Sequence, residues 1–82
     1  MTSFRIFDFW TKFGRPDFAY LCYRLKEDHP ILWEWLDHQE FLGGWTLEAD
    51  IDVSEYDTGH TLYQVHIVYD NVDDAFLHRM RW

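Results

Sequence analysis

No second cysteine accompanies Cys22, so no internal disulfide can form. No Cys/His spacing suited to zinc is present, and the five histidines show no close or repeated spacing of a metal site. No apolar stretch reaches the roughly 18 residues that suggest a transmembrane helix. The opening Met1-Thr2-Ser3-Phe4-Arg5 lacks the basic-then-apolar order of a signal peptide. These absences, with an unpaired thiol, predict a cytoplasmic protein with no membrane contact. Phosphate-cradling glycine loops, a nucleophile elbow and a dinucleotide fingerprint are also missing. Cys22 falls on an apolar stripe with neither a base nor an oxyanion site marked near it. The sequence therefore predicts a non-enzyme, with no catalytic residue, metal or cofactor.

The largest gap is in positive charge. Residues 27–78 contain thirteen Asp and Glu and no Lys or Arg. Residues 1–26 carry five cations (Arg5, Lys12, Arg15, Arg24, Lys26) against Asp8 and Asp17, and Arg79 and Arg81 close the chain. The formal net charge is −8. Surfaces selected for solubility alone interleave both signs, so an unneutralised acidic middle calls for an explanation.

What the chain has in abundance is aromatic residues, 21% of its 82 residues. A single domain spanning 1–82 has a thin core, and Phe, Tyr and Trp, each burying about 150–250 Å², compensate for it. Five Trp are more than such a core hides, so exposed aromatic surface is expected.

Residues 4–10 read as a strand with Phe4, Ile6 and Trp10 on one side and Phe7 and Phe9 on the other. Pro16 and Asp17 suit a helix start. Phe18, Leu21, Cys22 and Leu25 form its inward stripe. His29-Pro30 ends or kinks that helix. A second helical segment over about 31–40 turns Ile31, Leu32, Trp35 and Leu36 inward, and Gly43-Gly44 stops it.

Trp45, Leu47, Ala49, Ile51 and Val53 then alternate with Thr46, Glu48, Asp50 and Asp52, a strand with one apolar and one acidic face. Asp57-Thr58-Gly59-His60 forms a turn, and Tyr63, Val65, Ile67 and Tyr69 make the inner face of the returning strand. Asn71 caps a last helix with Asp73 and Asp74 at its positive end, and Val72, Ala75, Phe76 and Arg79 share a stripe. Residues 79–82 are expected to extend back towards the sheet. The predicted class is α+β: a small antiparallel sheet with helices on one face, order β-α-(α)-β-β-α. A reduced ferredoxin-like split β-α-β arrangement and a plain three-stranded sheet both fit.

Glu48, Asp50 and Asp52 project at about 6.5–7 Å intervals, and Glu55 and Asp57 carry the negative field into the turn. The plain reading is a solvated outer face. The functional reading is a surface spaced like the phosphates of one nucleic-acid strand, which would enter the basic groove of a nucleic-acid-binding protein and release its counterions. A Ca²⁺ or Mg²⁺ site is disfavoured, because alternate strand positions give a row of oxygens and not a cage. Trp33 and Tyr56 are the expected aromatic anchors. Direct nucleic-acid binding is not expected, since stacking aromatics need a positive groove beside them.

The C-terminal stretch from Val68 to Trp82 resembles the ending of many small proteins of tailed bacteriophages. The match lies in Asp74-Ala75 and in Arg79-Met80-Arg81-Trp82, with His78 standing where an aromatic is common. It covers less than a fifth of the chain and carries no active-site residues. It implies a viral origin, with the host cell's cytoplasm as the site of action. The expected function is an acidic binding protein, a phage-encoded inhibitor of a host nucleic-acid-handling or defence protein. Its partner would be basic, and Glu48, Asp50, Asp52, Glu55, Asp57, Trp33 and Tyr56 would make the contact. The alternative is an assembly protein, in which exposed aromatics and an open sheet edge form a homodimer or dock onto a larger particle.

Overall fold

A computed structural model describes residues 2–12 and 14–82. Six elements follow in order: β1 (Ser3–Thr11), α1 (Phe18–Asp28), α2 (Pro30–His38), β2 (Trp45–Ser54), β3 (Thr61–Tyr69) and α3 (Val72–Arg81). β3 lies between β1 and β2 and runs antiparallel to both. β1 and β2 are thus parallel to each other with one strand inserted between them, the split β-α-β arrangement. The class is α+β, with a three-stranded antiparallel sheet. One core holds it together, made by Phe7, Phe9, Leu47, Ala49, Tyr63, Val65, Ile67 and Tyr69 from the strands and Leu21, Leu25, Leu32, Leu36 and Ala75 from the helices.

Local chemistry sets the helix boundaries. Asp17 is the N-cap of α1 and its carboxylate accepts from Tyr20 N at 2.8 Å, so the helix starts after Pro16 and not on it. His29 closes α1 by donating its N–H to Leu25 O, and Pro30, which has no N–H to give, opens α2. α2 ends at His38, before the glycine pair. α3 is capped by Asn71, whose side chain accepts from Asp73 N at 2.8 Å. Asn71→Ala is expected to cost about 1 kcal/mol of stability, read from a thermal or urea melt. Residues 79–81 do not return to the sheet: α3 runs to Arg81, and Trp82 caps it by donating to His78 O.

Several apolar positions on the helical stripes lie outside. Ile31, Phe18, Val72 and Phe76 are exposed, and the buried side of α3 is Asp74, Ala75 and His78. Three strands offer the helices too little surface to cover a full stripe on each.

Two bulges decide which side chains share a face. In β1 the register slips between Arg5 and Phe7, and Phe4, Phe7 and Phe9 all oppose core residues of β3 (Ile67, Val65 and Tyr63). The expected division, with Phe4 opposite in face to Phe7 and Phe9, is therefore corrected: one extra residue reverses the alternation. In β2 the slip falls between Ile51 and Val53, so Ile51 opposes Tyr63 but Val53 opposes Leu62. Val53 thus leaves the apolar face expected for it.

Candidate acidic binding surface

With all three helices packed on the Val65–Ile67 side, the other face of the sheet has no covering layer. Its central strip is Leu62, Gln64, His66 and Val68 of β3, all half-buried between neighbouring strands. Glu48 stands opposite His66 and Asp50 opposite Gln64, both exposed. Asp52 is the bulged residue, and Glu55 and Asp57 follow in the exposed connection to β3. That turn is closed by Glu55 N donating to His60 O at 2.8 Å and by Gly59 N donating to Glu55 O at 2.9 Å. Gly59 sits at φ 73°, where a side chain would be strained. Every residue from Ile51 to Gly59 is exposed, so the β2–β3 ribbon projects beyond the helices.

Three arginines of the N-terminal segment have partners outside the acidic set. Arg5 pairs with Asp8, its neighbour on the open face because the bulge carries the chain past one extra residue. The hydrogen bond and charge of Asp8 raise the Arg5 pKa, with a smaller contribution from Asp52. Arg24 pairs with Asp28 at 3.2 Å and lies over the Phe9 ring. Arg15 Nη2 donates to Ala49 O at 2.7 Å, on the free edge of β2. Among the described residues no Lys or Arg forms an ion pair with Glu48, Asp50, Asp52, Glu55 or Asp57. The His66 ring lies 3.9 Å from the Asp50 carboxylate and is cationic only when protonated.

The two expected anchors part company. Tyr56 stands 97% exposed at the ribbon's end, beside Glu55 and Asp57. Trp33 is not brought to this surface: it is half-buried on α2, packs against the core and meets Trp45 edge-on at 6.3 Å. Trp10 of β1 lies on this face instead. In register, Trp10, Leu62 and Val53 form an apolar row across the open face, next to the Asp50–Gln64 row. Trp10 and Val53 are about half exposed, at 48% and 43%. The sequence carried half of this signal, since Trp10 shares its side of the alternation with Asp8. The β2 bulge that sends Val53 to join it left no mark in the alternation.

The buried polar groups lie on the other side of the sheet. Asp74 accepts from Leu42 N and Gly43 N, and Tyr69 OH meets His78 Nδ1 at 2.7 Å. Burial raises the Cys22 thiol above its ordinary pKa, away from the thiolate form a nucleophile needs. Among the described residues no group of His, Cys, Asp and Glu is gathered as a metal site, and no helix is long and apolar enough to cross a membrane. Fold and surface define a small α+β protein with one uncovered, acidic sheet face. No protein-family model, curated protein or solved structure matches the chain.

Proposed function

We propose that this chain is a non-enzymatic binding protein whose acidic strand and ribbon enter the basic, nucleic-acid-binding groove of another protein. The observation that carries this reading is the uncovered face itself. Glu48 and Asp50 without a Lys or Arg counterion lie next to an exposed apolar row of Trp10, Leu62 and Val53. Carboxylates alone would serve as a solvated face. Carboxylates beside a partly exposed Trp resemble a protein interface, where aromatic anchors supply affinity and charges supply steering. In the phage setting implied by the C-terminal resemblance, the protein would inhibit a host nucleic-acid-handling or defence protein by occupying its groove. Trp10 and Tyr56 serve as the aromatic contacts.

Such a complex weakens with salt and competes with nucleic acid. The test is capture of basic proteins from host lysate on the immobilised chain, at low and high salt and with duplex DNA as competitor. The variant Glu48→Lys/Asp50→Lys/Glu55→Lys is the control. Captured proteins are expected to fall by at least about tenfold in high salt, with DNA and with the variant. Capture that survives the triple reversal would sink the acidic-face reading.

A further inference from the structure

The two edges of the sheet are built differently. β2 lines its edge with Glu48, Asp50 and Asp52, and Arg15 occupies the outward carbonyl of Ala49. Like charges and occupied backbone groups are how edge strands avoid recruiting others. β1 carries one charge of each sign, Arg5 and Asp8, as close neighbours on one face. Along β1 runs a groove of about 670 Å³, whose apolar lining includes Ile6, Ile31, Leu32 and Trp82 and whose charged lining is Arg5, Asp28 and Arg79. A second hollow of about 310 Å³, between Phe4 and the exposed Val72 and Phe76 of α3, extends it. Ile31 is 67% exposed and Trp82 51%. From Ser3 to Trp10 the outer edge of β1 has no neighbouring strand among the described residues, and the trough lies beside it.

We infer that the β1 edge is a homodimer interface, in which two copies pair β1 with β1 in antiparallel fashion and close their apolar troughs on each other. Charge favours a second copy as the occupant. A two-fold axis near the middle of β1 brings Arg5 towards Asp8 of the partner subunit, and the partner's Arg5 towards Asp8. The four charges then alternate in sign. The joined sheet has the order β2-β3-β1-β1-β3-β2. Five strand spacings, about 24 Å, separate the two acidic β2 strands, roughly three Debye lengths at physiological salt. Pairing through β2 would instead set acidic rows edge to edge. β1 is the edge by which a chain of net charge −8 self-associates with the least repulsion. The inference does not rest on the basic-partner reading, because β2 and its ribbon stay free in the dimer.

Sedimentation of the full chain over a wide loading range tests it, with circular dichroism melts to confirm that each variant folds. The unaltered chain is expected to dimerise. Arg5→Asp and Asp8→Arg each set like charges across the axis and should raise the dimer dissociation constant at least about tenfold. An equimolar mixture of the two variants restores opposite charges and should form a heterodimer, which a purely intramolecular Arg5–Asp8 role would not produce. Ile31→Glu, in the trough, should weaken the dimer as well. Glu48→Lys should leave it intact. A monomer at every concentration overturns the inference and leaves the groove to a ligand. A mixture no better associated than its components, or a dimer broken by Glu48→Lys alone, overturns it too.

Discussion

Asp74→Ala is expected to lower folding stability by about 3–5 kcal/mol, seen as a shift of the urea midpoint at unchanged slope. Asp74 is 1% exposed, and its two carboxylate oxygens accept separate backbone N–H groups, Leu42 N at 2.9 Å and Gly43 N at 2.8 Å. A buried carboxylate is tolerated only with such partners, and its place in the first turn of α3 adds the favourable end of the helix dipole. Removing it leaves two backbone donors without their acceptor, each a loss of about 1–3 kcal/mol. It also releases the segment between α2 and β2. That segment lies so close to α3 that a Cβ on Gly43 would come within 3.3 Å of the Cβ atoms of Asp70 and Asn71. Asp74→Asn keeps one acceptor and should lose about half as much. Asp73→Ala, exposed in the same turn, should stay within about 0.5 kcal/mol of the unaltered protein. Equal losses at 73 and 74 would show that the two backbone hydrogen bonds are not what holds the loop. Against a total stability of about 5–15 kcal/mol, the expected loss at Asp74 is a large fraction.

Asp74 also shows where sequence reading stops. Asp73 and Asp74 look alike beside a capping Asn, and both were expected to serve the helix dipole. Which of them turns inward depends on how α3 lies on the sheet, a tertiary fact. Strand β3 was legible because it is central and unbroken: Tyr63, Val65, Ile67 and Tyr69 alternate without a slip and all are buried. Its neighbours were harder, since a bulge adds one residue and reverses every later assignment. Ile6 and Asp52 carry no mark of that role in their residue types. The stripes of α1, α2 and α3 gave the helices correctly but overstated their burial at Phe18, Ile31 and Phe76. Periodicity reports which residues share a face, and not whether the sheet is wide enough to cover it. In the candidate surface, Glu48 to Asp57 are contiguous in sequence and so stay together in space. Trp33 and Trp10 are both plausible anchors by composition. Only the layer to which each belongs separates them.

Below about pH 6.5 the folded state is expected to lose stability through His78, with a slope of up to about 1.4 kcal/mol per pH unit. His78 is 5% exposed, stacks on Phe4 at a ring separation of 4.3 Å and meets Tyr69 OH at 2.7 Å. Burial lowers its pKa below the ordinary histidine value. Burial, and then the charge of Asp74, raises that of the Tyr69 phenol. The phenol therefore keeps its proton and shares a hydrogen bond with Nδ1 of a neutral imidazole. As pH falls, the unfolded chain binds the His78 proton first. The stability present above the unfolded pKa is thus lost through that value, until the folded pKa is reached and the slope ends. His78→Leu removes this contribution and leaves the Tyr69 hydroxyl buried without its partner, an expected loss of about 2–3 kcal/mol at neutral pH. Tyr69→Phe keeps an imidazole in place, so its acid slope should persist. The double variant Tyr69→Phe/His78→Leu discards both polar partners and should be less destabilised than the sum of the singles, because neither leaves a stranded group behind. Urea melts across the acid range measure all four proteins. If His78→Leu retains the full slope, the proton that destabilises the fold binds elsewhere; strict additivity in the double variant would mean that the two side chains are not coupled.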